Sequence, residues 1–143
     1  TTISVTHDQE EALSMSDRVG VLLSGRLEQI DDSRSVYHRP VSRRVAELLG
    51  HVNEVTPDII EALHPEGKNP SDSMPAFARA ESVELVADAN GRGIIEDVRF
   101  LGIGVVYEVR IGEHLWRAHS VLSEHQVGDS VTPRLRSFFT TEG

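Results

Sequence analysis

The sequence predicts a mainly β chain of the α+β class: a short αβ segment over residues 1–50, a linker over 51–74 and a small β-barrel over 75–143. Three observations carry this. Residues 1–50 alternate strand-like and helix-like runs. Residues 51–74 gather Pro57, Pro65, Gly67, Asn69, Pro70, Ser71 and Ser73, the residues that punctuate regular structure. Residues 75–138 hold short β-branched runs separated by glycine-containing turns, the spacing of a small barrel or sandwich.

Taken in order, Ile3 to Thr6 reads as a strand ending at His7. Asp8 to Ser16 reads as a helix, with Asp8, Glu10 and Glu11 in its first turn, where acids complement the macrodipole. Arg18 to Leu23 is a strand, Ser24-Gly25-Arg26 a tight turn, and Arg26 to Ile30 the returning strand. Asp31, Asp32 or Ser33 caps a short helix that stops near Arg39, because Pro40 disfavours helix before it. Ser42 caps another through Val45, Ala46, Leu48 and Leu49, ended by Gly50. Pro57 to Leu63 fits one short helix with proline at its first position, and His64 to Ser73 an exposed loop. The barrel strands are Ala76 to Arg79, Val83 to Val86, Gly93 to Phe100, Val105 to Ile111, Leu115 to Ser120 and Val131 to Leu135. Pro133 makes the last an edge or broken strand. Val105, Tyr107, Val109 and Ile111 share one face, with Glu108 and Arg110 on the other.

Composition narrows the function classes. The 143 residues carry no cysteine, which excludes disulfides and thiolate metal sites. No apolar run approaches the roughly 20 residues that span a bilayer. The net charge of −9 falls mainly beyond Gly50, where it is −7 against −2 before it. That balance repels phosphate backbones, so nucleic acid is not an expected partner.

The most informative run is Val5-Thr6-His7-Asp8-Gln9-Glu10-Glu11-Ala12, followed by Asp17 to Asp31 (DRVGVLLSGRLEQID). These stretches resemble the end of the nucleotide-binding domain of ABC transporters. SVYHRPVSRRVAELLG, with Tyr37 and Pro40 at the family's Tyr-x-x-Pro, is similar to the two short helices that close that domain in importers. FARAESVEL, GIIEDVRFLG and VVYEVRIG resemble the importers' TOBE domain, an OB-like barrel; Ala80 stands where the family often has proline. Leu23-Ser24-Gly25-Arg26 resembles the family's signature but follows the histidine, so it is a hairpin turn.

The resemblance implies that residues 1–50 are the C-terminal remnant of a nucleotide-binding domain and 75–143 a regulatory barrel. It implies that His7 is the switch histidine, catalytic and in contact with the γ-phosphate of ATP in an intact ATPase. ATP and Mg²⁺ are then cofactors of the full-length protein, with none expected for this chain, which has no G-x-x-x-x-G-K-[ST] segment. The implied partners are a second copy of the subunit and transmembrane permease subunits, at the cytoplasmic face of the membrane. GHVNEV and AFARAESVEL resemble sulfate or molybdate importers slightly more than others, so an oxyanion-sensing barrel is the alternative reading. Its anion contacts would be Arg79, Arg99, Gly102 and Gly104.

Other chemistry-bearing residues have plainer readings. His38, His51, His64, His114, His119 and His125 show no metal-ligand spacing. Asp31-Asp32 fits a helix cap better than a cation site. Glu96 and Asp97, adjacent in a strand, are expected on opposite faces. Trp116 fits the core or, less readily, an exposed anchor. The strands of residues 1–50 are expected to need cover, from a swapped copy or from the barrel.

Overall fold

The computed structural model describes residues 2–63 and 75–141. The chain divides into two compact units, Thr1–His51 with Thr141–Gly143, and Val52–Thr140. It is mainly β, as expected.

The first unit contains α1 (Gln9–Met15), β1 (Arg18–Leu23), β2 (Arg26–Asp32), α2 (Ser33–His38) and α3 (Arg43–Leu48). Each helix starts on a side-chain cap: Asp8 accepts from the Glu11 N–H, Asp32 from Ser35 and Ser42 from Val45. Each cap satisfies a backbone donor that has no partner inside the helix. β1 and β2 pair antiparallel through Ser24 and Gly25, whose φ values of 50° and 77° match the turn twist that hairpins favour. Val19 and Val21 pack with Val36, Val45 and Leu49. Leu22, Leu27 and Ile30 are exposed.

Ile3 to Thr6 does not form the expected strand. Ile3 and Val5 are 89 % and 86 % exposed, and none of the described strands pairs with them. Extended residues become a strand only when a neighbour takes their N–H and C=O groups. His7 therefore stands on an irregular segment directly before the α1 cap, not at a sheet edge.

The second unit contains β3 (Val52–Val55), α4 (Pro57–Leu63), β4 (Ala76–Arg79), a 3₁₀ turn (Ala80–Ser82), β5 (Val83–Ala87), β6 (Gly93–Phe100), β7 (Val105–Ile111), β8 (His114–Ser120), β9 (Ser130–Leu135) and β10 (Phe139–Thr140). One antiparallel sheet runs β10-β4-β3 and a larger one β5-β9-β6-β7-β8. The outer strands β5 and β8 come back against each other, which curls the larger sheet toward a barrel. Inside lie Ile95, Val105, Tyr107, Val109, Trp116, Ala118, Val131 and Leu135, joined by Val55 and by Ile59 of α4. Each buried apolar side chain of this size contributes about 1.5–3 kcal/mol. Trp116 is thus a core residue.

Three further differences have physical causes. β3 draws residues 52–55 into a sheet with Ala76–Arg79, where a linker was expected. β9 is not at an edge, but β6 reaches it only at Ser130 and Val131; Pro133 faces β5 alone, so its missing N–H breaks no second ladder. Glu96 and Asp97 do not alternate, because the register shifts between Ile95 and Asp97; both meet arginines on the outer face. The expected loop from His64 to Ser73 lies outside the described residues.

Candidate functional site

His7 is exposed and held by its neighbours. Thr6 Oγ1 donates to Glu11 Oε2 at 2.6 Å and accepts from the Asp8 N–H at 3.0 Å. Glu11 N–H in turn donates to Asp8 Oδ1 at 2.9 Å. Residues on both sides of His7 are thus tied into the first turn of α1, which presents the imidazole outward. Such a side chain can meet an anion brought to it. It has no companion here: the sequence contains no phosphate loop, and among the described residues no group of histidines and carboxylates is placed to hold a metal ion.

The four residues of the expected anion site are spread out. Arg79 is buried on β4, its guanidinium 5.5 Å from the centre of the Phe139 ring. Arg99 lies on β6, in the other sheet. Its Nε is 3.1 Å from Asp97 and its Nη2 2.7 Å from Glu108, so two carboxylates already neutralise it. Gly102 and Gly104 sit in the exposed β6–β7 turn, and Gly102 takes a φ of 83°. An anion held there would have to displace Asp97 and Glu108 from Arg99.

Sequence reasoning missed the charge network on this outer face. Arg110 donates to both oxygens of Glu96, at 2.6 and 2.9 Å. That bidentate bond holds the Glu96 carboxyl below its ordinary range and raises Arg110. Glu108 is shared between Arg99 and Arg117. The alternation of Glu108 and Arg110, and of Asp97 and Arg99, was the available signal, but pairing them needs the strand register.

The other polar residues are structural. Asp32 caps α2. His114 Nε2 lies 2.9 Å from Asp58 Oδ2, the His125 ring meets Tyr107 edge-on, and His38 meets Tyr37 likewise. His51 and His119 are exposed, and His64 lies outside the described residues. Among the described residues no helix is long and apolar enough to cross a membrane.

A histidine set before a capped helix, a hairpin with two short helices, and a barrel-like unit together fit one class of protein. The homologues of this chain are ATP-binding import subunits of ABC transporters, consistent with a C-terminal part of such a subunit. Among them is the spermidine/putrescine import ATP-binding protein PotA of Pseudomonas fluorescens, 33 % identical over 80 % of this chain and 37 % of the relative. The sulfate/thiosulfate import ATP-binding protein CysA of Vibrio cholerae is 32 % identical over 100 % of this chain and 44 % of its own length. The Fe(3+) ions import ATP-binding protein FbpC 1 of Rhodococcus jostii is 33 % identical over 78 % of this chain and 35 % of its own. The chain thus spans less than half the length of these relatives. No family model matches the chain.

Proposed function

We propose that this chain is the C-terminal regulatory and pairing region of the ATP-hydrolysing subunit of an ABC importer. The observation that carries this is similarity across 78–100 % of the chain to import ATP-binding subunits, joined to a barrel-like unit built around its own apolar core. Residues 1–50 would complete the nucleotide-binding domain, with His7 meeting the γ-phosphate when ATP and Mg²⁺ are held by the rest of the subunit. The 75–143 barrel, TOBE-like, would bring two subunits together. The subunit would work at the cytoplasmic face of the membrane, docked on permease subunits. The relatives are named for polyamines, sulfate/thiosulfate and ferric iron, so ATP-driven import is the part that carries over.

The oxyanion-sensing alternative draws little support from an Arg99 already neutralised by Asp97 and Glu108. Calorimetry with sulfate and molybdate tests it directly, and heat abolished by Arg99→Ala would revive it.

The leading reading is tested in a full-length subunit carrying this sequence, assembled with its permease. The expected result is ATP hydrolysis and uptake by the full subunit and none by the 143-residue chain alone. Removing Val52–Thr140 is expected to leave nucleotide binding and impair subunit pairing and uptake. Hydrolysis by this chain alone, or uptake indifferent to the removal, would overturn it.

A further inference from the structure

Among the described residues, β6 keeps a free edge over half its length. β9 joins it only at Gly93 and Ile94. The Gln126–Asp129 turn then closes that ladder at Ile95, which donates to the Asp129 carbonyl and accepts from the Gly128 N–H. Beyond that point, among the described residues, β7 alone pairs with Asp97–Phe100. The direction of the free groups follows from the hairpin. Leu101 N–H donates to the Gly104 carbonyl at 2.8 Å. Opposed residues in an antiparallel ladder alternate between bonded and non-bonded pairs. Counting back, Arg99–Val106 and Asp97–Glu108 are bonded pairs, while Phe100–Val105 and Val98–Tyr107 are not. The N–H and C=O of Val98 and Phe100 therefore point away from β7, toward the open side. Asp97 and Arg99 stand beside this edge, each side chain 49 % exposed, and Phe100 is 74 % exposed.

The geometry points to an isologous pairing in which β6 of one copy lies antiparallel to β6 of a second copy of this chain, with Val98 on the two-fold axis. This deepens the pairing role proposed above, and rests on it, by naming the surface. Charge selects both partner and register. Asp97-Val98-Arg99 is its own complement: antiparallel pairing about Val98 sets Asp97 of each copy opposite Arg99 of the other. Sliding the axis to Arg99 would set two guanidinium groups directly opposite, which is destabilising. At the Val98 register the two Val98 residues exchange a pair of backbone hydrogen bonds. The exposed Phe100 of each copy covers the neighbouring strand end. An open edge is a general liability of sheets, and self-pairing about a two-fold closes it. The contact is short and the chain carries a charge of −9, so the dimer is weak.

Sedimentation equilibrium of the intact chain over a wide concentration range tests this, with Asp97→Arg, Arg99→Asp and the double variant. The wild-type chain is expected to dimerise, and each single reversal to weaken the dimer about tenfold by setting like charges opposite. The double reversal restores complementarity and with it most of the affinity. Amide exchange of Val98 and Phe100 in the wild-type chain is expected to slow as concentration rises, a readout that needs no variant. Dimerisation that survives both single reversals overturns this surface and leaves the wider pairing role standing. A chain that stays monomeric at millimolar concentration, with unchanged exchange at Val98 and Phe100, overturns it as well; the assembly assay of the full subunit then decides the wider role separately.

Discussion

Asn53 and Arg117 exchange two hydrogen bonds: the Asn53 amide donates to the Arg117 carbonyl and accepts from the Arg117 N–H, both at 2.8 Å. A side chain on β3 thereby imitates a strand and ties the smaller sheet to β8. Asn53 is 2 % exposed, so water cannot replace it at the Arg117 backbone. Asn53→Leu is expected to leave both backbone groups unpaired and cost about 2–4 kcal/mol. Urea unfolding measures this; a loss under about 0.5 kcal/mol would mean that the clasp contributes little.

Tyr107 is fully buried, yet its hydroxyl reaches a loop. It donates to the Leu122 carbonyl at 3.2 Å and accepts from the Glu124 N–H at 3.1 Å. Tyr107→Phe keeps the ring in the core and removes these bonds together with a longer one from the His125 N–H at 3.5 Å. The expected cost is about 1–2 kcal/mol, with faster amide exchange concentrated between residues 121 and 126. Uniform acceleration across β6 and β7 instead would contradict a local role.

Among the described glycines of the second unit, Gly91 leaves the least room for a side chain. A Cβ there would lie 2.3 Å from both the carbonyl carbon and oxygen of Val131. These are backbone atoms of a paired strand and cannot swing aside. Gly91→Ala is expected to cost about 1–3 kcal/mol through overpacking. A thermal midpoint equal to the wild type would show that β9 can retreat.

What could be read from the sequence was what depends on near neighbours. Ser42 was legible as a cap, and Asp32 as one of three candidates, because a cap acts over three residues; Asp8 was read as an acid of the first helical turn, and its capping bond to the Glu11 N–H shows only in the structure. β7 was legible because alternation is a local signal, and the Ser24-Gly25 turn because few residues accept positive φ. β3 was not, since Val52–Val55 is a strand only through Ala76–Arg79, far along the chain. Ile3 to Thr6 is the converse, with β-forming residues and no neighbour. His7 was singled out by its motif, but its place on an irregular segment before α1 was not legible, because it depends on the missing partner of Ile3 to Thr6. The fate of Arg99 was not, because its neutralisation by Glu108 depends on the register of β6 against β7.

Acid is expected to weaken the second unit through Asp58, which the Thr56 side chain and then His114 hold below its ordinary range, and through two further carboxyls. The Thr132 hydroxyl, then the Asn90 N–H, hold Asp88 below its ordinary range, and Arg110 does the same for Glu96. Folding therefore releases protons from these groups at low pH. Their contribution is fully present above about pH 4–4.5 and is lost as pH falls through the lower folded values. Thermal midpoints should stay level down to about pH 5 and then drop. Asp88→Asn should lower the neutral-pH midpoint and flatten the acid limb. An acid limb unchanged in that variant would remove Asp88 from the account.

The role of His7 separates from stability. Its side chain is exposed, while Thr6, Asp8 and Glu11 hold the local turn without it. His7→Ala is accordingly expected to shift the unfolding free energy of this chain by no more than about 0.5 kcal/mol. Asp8→Ala is the contrasting variant: it removes the α1 cap and is expected to cost about 1 kcal/mol. In a full-length subunit the order should reverse. His7→Ala is expected to lower ATP turnover by about a hundredfold or more, the scale of a positioned imidazole in proton or water placement. Asp8→Ala should cost far less turnover. Equal losses from both would make His7 a helix-start residue and not a nucleotide contact.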